Sequence, residues 1–215
     1  MKVLVACEFS QIVTKAFRKK GHEAMSCDLL PTEGNPAWHI QGDVLDILDD
    51  GWDMMIAHPP CTYLSYAGIR WWNDKERCKK RLEALEFFRQ LWEAPIEKIC
   101  VENPVGCASP IIAKYSQIIQ PWYFGEQYYK TTCLWLKNLP LLIHLPYETL
   151  FEKQTHIEKP KPIYIYEKTG KNIHWEEAVG GGKNRSKNRS RFWVGIADAM
   201  AEQWGKIEAP IQKEF

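Results

Sequence analysis

Several absences narrow what this chain can be. No apolar run approaches the roughly 18 residues that cross a bilayer, so no membrane-spanning helix is expected. Lys and Arg number 28 against 27 Asp and Glu, so no overall basic character advertises nucleic acid. Net charge says nothing of a local patch, and DNA stays open as a partner. The seven cysteines are odd in number and form no CxxC pair, and no HExxH occurs. A disulfide framework is therefore not expected, nor is a structural zinc or any other metal. The chain starts directly on Lys2-Val3-Leu4-Val5-Ala6, with no secretory leader, which makes a reducing cytoplasm the expected location. No glycine cluster follows that first apolar run, so a pyrophosphate cradle is not expected there. No internal repeat is present.

Hydrophobic residues make up 45% and charged ones 26%, the balance of a soluble globular domain. Aromatics are high at 13%, with ten tryptophans, which suits either a packed core or exposed rings that stack on bases. Lys2 to Cys7 reads as a first strand, and Gln11 to Lys20 as a helix closed by Gly21. His22 to Cys27, a short piece at Ile40 to Val44, and Trp52 to Ala57 read as further strands. A helix capped by Asn73 or Asp74 runs to about Trp92, with Leu82, Leu85, Phe88 and Leu91 at helical spacing. Glu97 to Val101, Ser116 to Gln120 and Thr131 to Leu136 complete the strands, and Val194 to Trp204 closes as an amphipathic helix. This βαβ rhythm predicts an α/β fold: a mostly parallel, Rossmann-like sheet with flanking helices. From Asn138 prolines recur and periodicity weakens. Residues 139–190 therefore read as a small irregular insertion between a catalytic unit, 1–138, and a closing helical segment, 191–215.

The stretch Met54-Met55-Ile56-Ala57-His58-Pro59-Pro60-Cys61 is an apolar strand stopped by two prolines. Proline has no N–H and a fixed φ, so Cys61 is held on a stiff turn at a strand's carboxyl end. Ligands bind at that edge in open α/β sheets. A cysteine there is a candidate nucleophile, although a lone cysteine is more often a small buried hydrophobe. Glu102 ends the next strand. If the two strands are neighbours, a thiol and a carboxyl share one pocket. A thiolate can then add to C6 of a pyrimidine while a protonated carboxyl at N3 neutralises the developing charge. Burial is expected to raise the Glu102 pKa as that role requires. Glu8 and Asp28 stand about 20 positions apart, the spacing at which an acid reaches ribose hydroxyls. With no glycine cradle beside them, a cofactor without pyrophosphate fits best, and S-adenosyl-L-methionine (SAM) is one.

Pro59-Pro60-Cys61 and Glu102-Asn103-Pro104 resemble the paired Pro-Pro-Cys and Glu-Asn-Val motifs of the C5-cytosine DNA methyltransferases, above all the small, often phage-encoded members. The resemblance implies a SAM-dependent methyltransferase fold with Cys61 as nucleophile and Glu102 as the acid at N3. It implies Glu8, Phe9 and Ser10 near the methionine end, Asp28 at the ribose, and Asp43 with Val44 at the adenine. Cys7, Leu29 and Pro59 complete the implied cofactor set, and Pro60 and Asn103 join the base-binding set. Tyr123-Phe124-Gly125 to Trp135 is similar to the family's segment that enters the active site, with Lys130 where an arginine is usual. Arg191 onward resembles the C-terminal motif that packs back on the first strand.

Three departures stand out. Gln11 replaces a family glycine, which is expected to leave the cofactor loop bulkier. Pro104 replaces a valine. The span 139–190 is far shorter than the family's target-recognition domain, so duplex recognition and base flipping are expected to be reduced. That span ends in Lys183, Arg185, Lys187 and Arg189, which with Arg191 just beyond it form a basic run that is either a solvated loop or a phosphate contact. The substrate is DNA or a free cytosine nucleotide. Two further readings remain: a catalytically silent nucleic-acid or SAM-binding module, and an amino-methyltransferase. The latter is disfavoured because His58 and Cys61 supply neither an acceptor for an amine nor a stacking ring.

Overall fold

The computed structural model describes residues 1–127, 129–144, 159–162, 164–168, 170–173 and 192–206. In Lys2–Ala6 (β1) the four apolar residues after Lys2 are buried on both faces, as a central parallel strand requires. Ile12–Lys19 (α1) follows, then Glu23–Asp28 (β2), His39–Gln41 (β3) and Met54–Ala57 (β4). Lys75–Trp92 (α2) leads to Lys98–Asn103 (β5), the single turn Ala108–Ile111 (α3), Gln117–Ile119 (β6) and Thr132–Lys137 (β7). Tyr164–Tyr166 (β8) and Lys171–Ile173 (β9) pair as a separate antiparallel ribbon, and Val194–Trp204 (α4) closes the described part.

The sheet order is β3-β2-β1-β4-β5-β7-β6. The first five strands are parallel, and β7 runs antiparallel to both β5 and β6. The order 3-2-1-4-5 is that of the Rossmann fold, whose direction of winding reverses between β1 and β4. The expected Rossmann-like α/β class is what the chain forms. Each face of the sheet carries its own core. On one, Leu4, Ala6, Met55, Ala57, Ile99 and Val101 meet Leu85, Phe88 and Leu91 of α2. On the other, Val3, Val5, Met54, Ile56 and Cys100 meet Val13 and Phe17 of α1 and Ile196, Met200 and Trp204 of α4. The closing helix thus shares its core with the first strand.

Three sequence-level expectations need correction. Strand β5 does not stop at Val101: Glu102 and Asn103 are themselves in the ladder, paired with Leu134 and Cys133 of β7. Leu82 keeps the helical spacing but is 69% exposed, so the buried stripe of α2 is only Leu85, Phe88 and Leu91. Of the two candidate caps, Asp74 is the one used, its Oδ1 accepting from Arg77 N at 2.8 Å.

Candidate active site

Parallel pairing sets the register of the edge where ligands bind. Ala57 lies beside Ala6 on one side and Val101 on the other. One residue further on, His58 falls next to Glu102. Its Nδ1 is 3.2 Å from Glu102 Oε2, and both side chains are nearly buried. Asn103, 1% exposed, reaches back and donates from Nδ2 to the Pro59 carbonyl at 2.8 Å. The two motifs noticed in the sequence are therefore joined by side-chain hydrogen bonds at the ends of adjacent strands. Asn103 acts here as a tie under the Pro59-Pro60 turn. Its Oδ1 is buried with no hydrogen-bond partner among the described residues.

Cys61 sits half-buried on the turn after Pro60, its carbonyl accepting from Leu64 N and Ser65 N. The loop that follows is clipped to the loop after β5. Cys107 N donates to Leu64 O at 2.9 Å and Tyr66 N to Val105 O at 3.3 Å. Gly106 makes the clip possible, because a Cβ there would stand 2.1 Å from Leu64 O. The Cys61 turn and the Glu102 strand thus form one mechanical unit.

Glu102 differs from expectation in its charge. Burial does push its carboxyl up, but the His58 hydrogen bond and the Lys130 and His58 charges outweigh it. The net shift is downward, so Glu102 is a carboxylate at neutral pH in the ligand-free protein. Lys130, just before β7, also lies over the Trp193 ring at 4.7 Å.

On the other side of the switch between β1 and β4, Cys7 and Gln11 both adopt left-handed backbone, φ 59° and 58°. Between them Glu8 is buried and spends both oxygens on α1, accepting from Val13 N, Thr14 N and Thr14 Oγ1. That carboxylate anchors the start of the helix, satisfying first-turn N–H groups and the positive end of its dipole. Phe9 is buried and its carbonyl accepts from Glu33 N and Thr32 Oγ1, while Ser10 lies buried behind it.

The bulk expected from Gln11 does not reach the loop. Its side chain is fully buried and folds away, accepting from Asn35 N and donating to Asn35 O and Ser26 Oγ. Gly34 leaves the space it occupies.

Asp28 ends β2 and accepts from Leu30 N at 2.8 Å. Asp43 follows β3 and accepts from Leu45 N at 3.0 Å, with Val44 buried beneath it and Leu29 72% exposed. Burial comes first in raising the thiols of Cys7 and Cys27, and Asp28 and Asp43 add to it at both; Cys27 reaches about 11. Among the described residues no group of three or more His, Cys, Asp or Glu side chains could hold a metal ion. Arg185, Lys187, Arg189 and Arg191 lie outside the described residues.

His58 is the site residue that sequence reasoning passed over. Its one signal is a polar ring directly after the buried run Met54–Ala57, at the point where the parallel register reaches Glu102.

No family model matches this chain, and no curated protein matches it. Among solved structures it is similar to a protein described as a DNA modification methyltransferase encoded within an E. coli prophage, with 14% identity and a TM-score of 0.40. The match covers 62% of this chain and 45% of that one, so the chain spans less than half the length of that protein.

Proposed function

We propose that this chain transfers a methyl group from SAM to C5 of cytosine, in DNA or a free cytosine nucleotide. The observation that carries the reading is the joined pair of strand ends, with the Pro59-Pro60-Cys61 turn tied to Asn103 and Glu102 beside it. In this reading the Cys61 thiolate forms a bond to C6 of the ring. The C5=C6 pair shifts to C4=C5, and the C4=N3 pair moves to N3, which takes a proton from Glu102. The ring is then nucleophilic at C5. Afterwards C5 loses its proton to solvent, the N3 proton returns to Glu102, and Cys61 leaves as C5=C6 re-forms. Lys130 holds negative charge near Glu102 in check, and Pro60 with Asn103 fixes the turn against the base.

The cofactor site fits an adenosyl group without phosphates. Asp28 and Asp43 make its rim anionic, which repels a pyrophosphate but suits hydroxyl and amino donors. Asp28 takes the ribose, Asp43 and Val44 the adenine, and Cys7, Glu8, Phe9 and Ser10 wall the methionine end, with Leu29 and Pro59 at the margins. Bound SAM supplies an electrophilic methyl group.

Support for a nucleic-acid substrate comes from the segment after Cys61. Arg77 and Lys80 lie over Tyr63, Arg70 over Trp71 and Arg81 over Trp72. Cations interleaved with rings suit phosphates and bases together. Within this reading, 139–190 is a reduced recognition insertion on a catalytic unit of 1–138, with 191–215 closing the domain.

Incubation with tritiated SAM and, separately, DNA and dCMP tests activity and substrate class together. DNA containing 5-fluorocytosine is expected to trap a covalent adduct visible by mass spectrometry. Cys61→Ser should abolish both signals while SAM binding persists. An active Cys61→Ala protein sinks the proposal.

A further inference from the structure

Within the C5-methylation reading, on which this inference rests, Glu102 has a difficulty. It must deliver a proton, yet it sits beside a cation and a hydrogen-bond donor that both favour its ionised form. A proton must therefore be stored nearby and passed on when the base arrives. His58 is placed to store it. The register puts the ring at the end of β4 alongside Glu102 on β5, with Nδ1 on Oε2. Phe192 packs on the ring at 4.5 Å between centroids, which fixes its plane. Nε2 is buried and has no hydrogen-bond partner among the described residues, so Glu102 is the group that orients the imidazole. Among the described residues, Lys130 from the segment before β7, Cys100 on β5 and Cys133 on β7 are the other charged or titratable groups acting on or beside Glu102. None of these is placed to hand it a proton: the Cys100 and Cys133 thiols are themselves pushed up by burial and by Glu102, and Lys130 lies over Trp193.

We propose that His58 is the positioning and proton-storing partner of Glu102: its Nδ1 holds the proton that Glu102 passes to N3 of the bound cytosine. Before attack the shared proton sits on the Nδ1 side of the hydrogen bond to Glu102 Oε2. As the Cys61–C6 bond forms, N3 takes the proton by way of Glu102 Oε2, and His58 is left neutral with its remaining hydrogen on Nε2. When N3 gives the proton back, the original pair is restored, so the dyad ends each turnover unchanged. His58 does not touch the substrate.

Two measurements on the full chain test this. In the ligand-free protein, the His58 imidazole is followed by 15N NMR against pH, its signal assigned by its loss in His58→Gln. Glu102→Gln is expected to lower the His58 titration midpoint, because the imidazolium loses its carboxylate. An unchanged midpoint overturns the proposal. The second readout is the ratio of wild-type to His58→Gln kcat/KM across pH. Without the store, Glu102 alone must hold the proton, so the ratio should climb as pH rises, by up to about tenfold per pH unit while the wild type keeps its proton and the variant loses it. A pH-independent defect means that His58 is only structural. Product analysis separates the two claims. A wild-type protein that makes no 5-methylcytosine fails the C5 reading, and this proposal with it. One that makes 5-methylcytosine while its His58 ignores Glu102→Gln fails the His58 proposal alone.

Discussion

Gly34 and Gln11 offer a direct test of how this chain manages without a glycine at position 11. Gly34 does not adopt left-handed backbone, so an alanine there meets no conformational penalty of its own. The added methyl would instead stand 2.0 Å from Gln11 Oε1 and 2.8 Å from its Cδ. The glutamine has to leave its pocket. In doing so it gives up the bond from Asn35 N at 2.7 Å and those to Asn35 O at 2.9 Å and Ser26 Oγ at 3.2 Å. At about 0.5–1.5 kcal/mol each, three bonds amount to roughly 1.5–4.5 kcal/mol. Stiffening the unfolded chain returns about 0.4–1 kcal/mol. Gly34→Ala is therefore expected to cost about 1–4 kcal/mol, read from urea unfolding midpoints at constant slope. The same substitution in a Gln11→Ala background should cost little, giving a coupling of about 1–4 kcal/mol in the double-mutant cycle. If Gly34→Ala is as costly without Gln11 as with it, the glutamine is not what fills that space. The displaced side chain would then also have the loop between Cys7 and Gln11 to fall into, so weaker SAM binding in Gly34→Ala is the functional counterpart.

Other outcomes follow from the same geometry. Asp28→Ala should weaken SAM by about 0.5–1.5 kcal/mol for each hydrogen bond lost and leave the unfolding midpoint nearly unchanged; calorimetry showing full affinity contradicts the ribose assignment. Asn103→Ala strips the Pro59 carbonyl of its donor, and a buried acceptor left bare costs about 1–3 kcal/mol; slower adduct formation by Cys61 should accompany the lost stability, and an unaltered adduct rate would show that the tie does not set the turn. Glu202, on α4, is held down to about 2 by Lys20 and Lys206. A depressed carboxyl contributes stability above its unfolded value near 4.5 and loses it as pH falls through about 2. Glu202→Gln should thus flatten the acid side of the stability profile between those values, and an identical acid slope would refute the link. Replacing Arg185, Lys187 and Arg189 by alanine should lessen the salt dependence of DNA binding, by up to about 0.9 in log–log slope per phosphate contact, without altering which cytosines are modified; an unchanged slope makes the run a solvated loop.

Local chemistry accounts for what could be read from the sequence. Apolar runs such as Lys2–Ala6 and Met54–Ala57 carry their own strand signal, and the two prolines after His58 fix where the second one stops. The closing helix was legible to its last residue because Ile196, Ala197, Met200 and Trp204 repeat at helical spacing. Pairwise facts were not. Nothing in the order of residues says that Asn103 donates to Pro59, that Gly34 makes room for Gln11, or that Glu8 serves α1. The direction of the Glu102 shift failed for the same reason. Burial can be guessed from a strand, but the opposing groups, His58 and Lys130, arrive from 44 positions before and from across the sheet.

The union of the closing helix with the first strand has a consequence for biosynthesis. Val3 and Val5 on β1 and Phe17 on α1 are covered by side chains from Ile196 to Trp204. A nascent chain therefore carries the middle of its sheet with one apolar face covered only in part, by α1, until residues 194–204 have emerged. Contacts of such long sequence separation form slowly, and an uncovered face is what chaperones bind and what aggregates. Translation paused before residue 194 would hold the protein in that exposed state, with the joined strand ends at His58 and Glu102 in place and the α4 part of the core still missing.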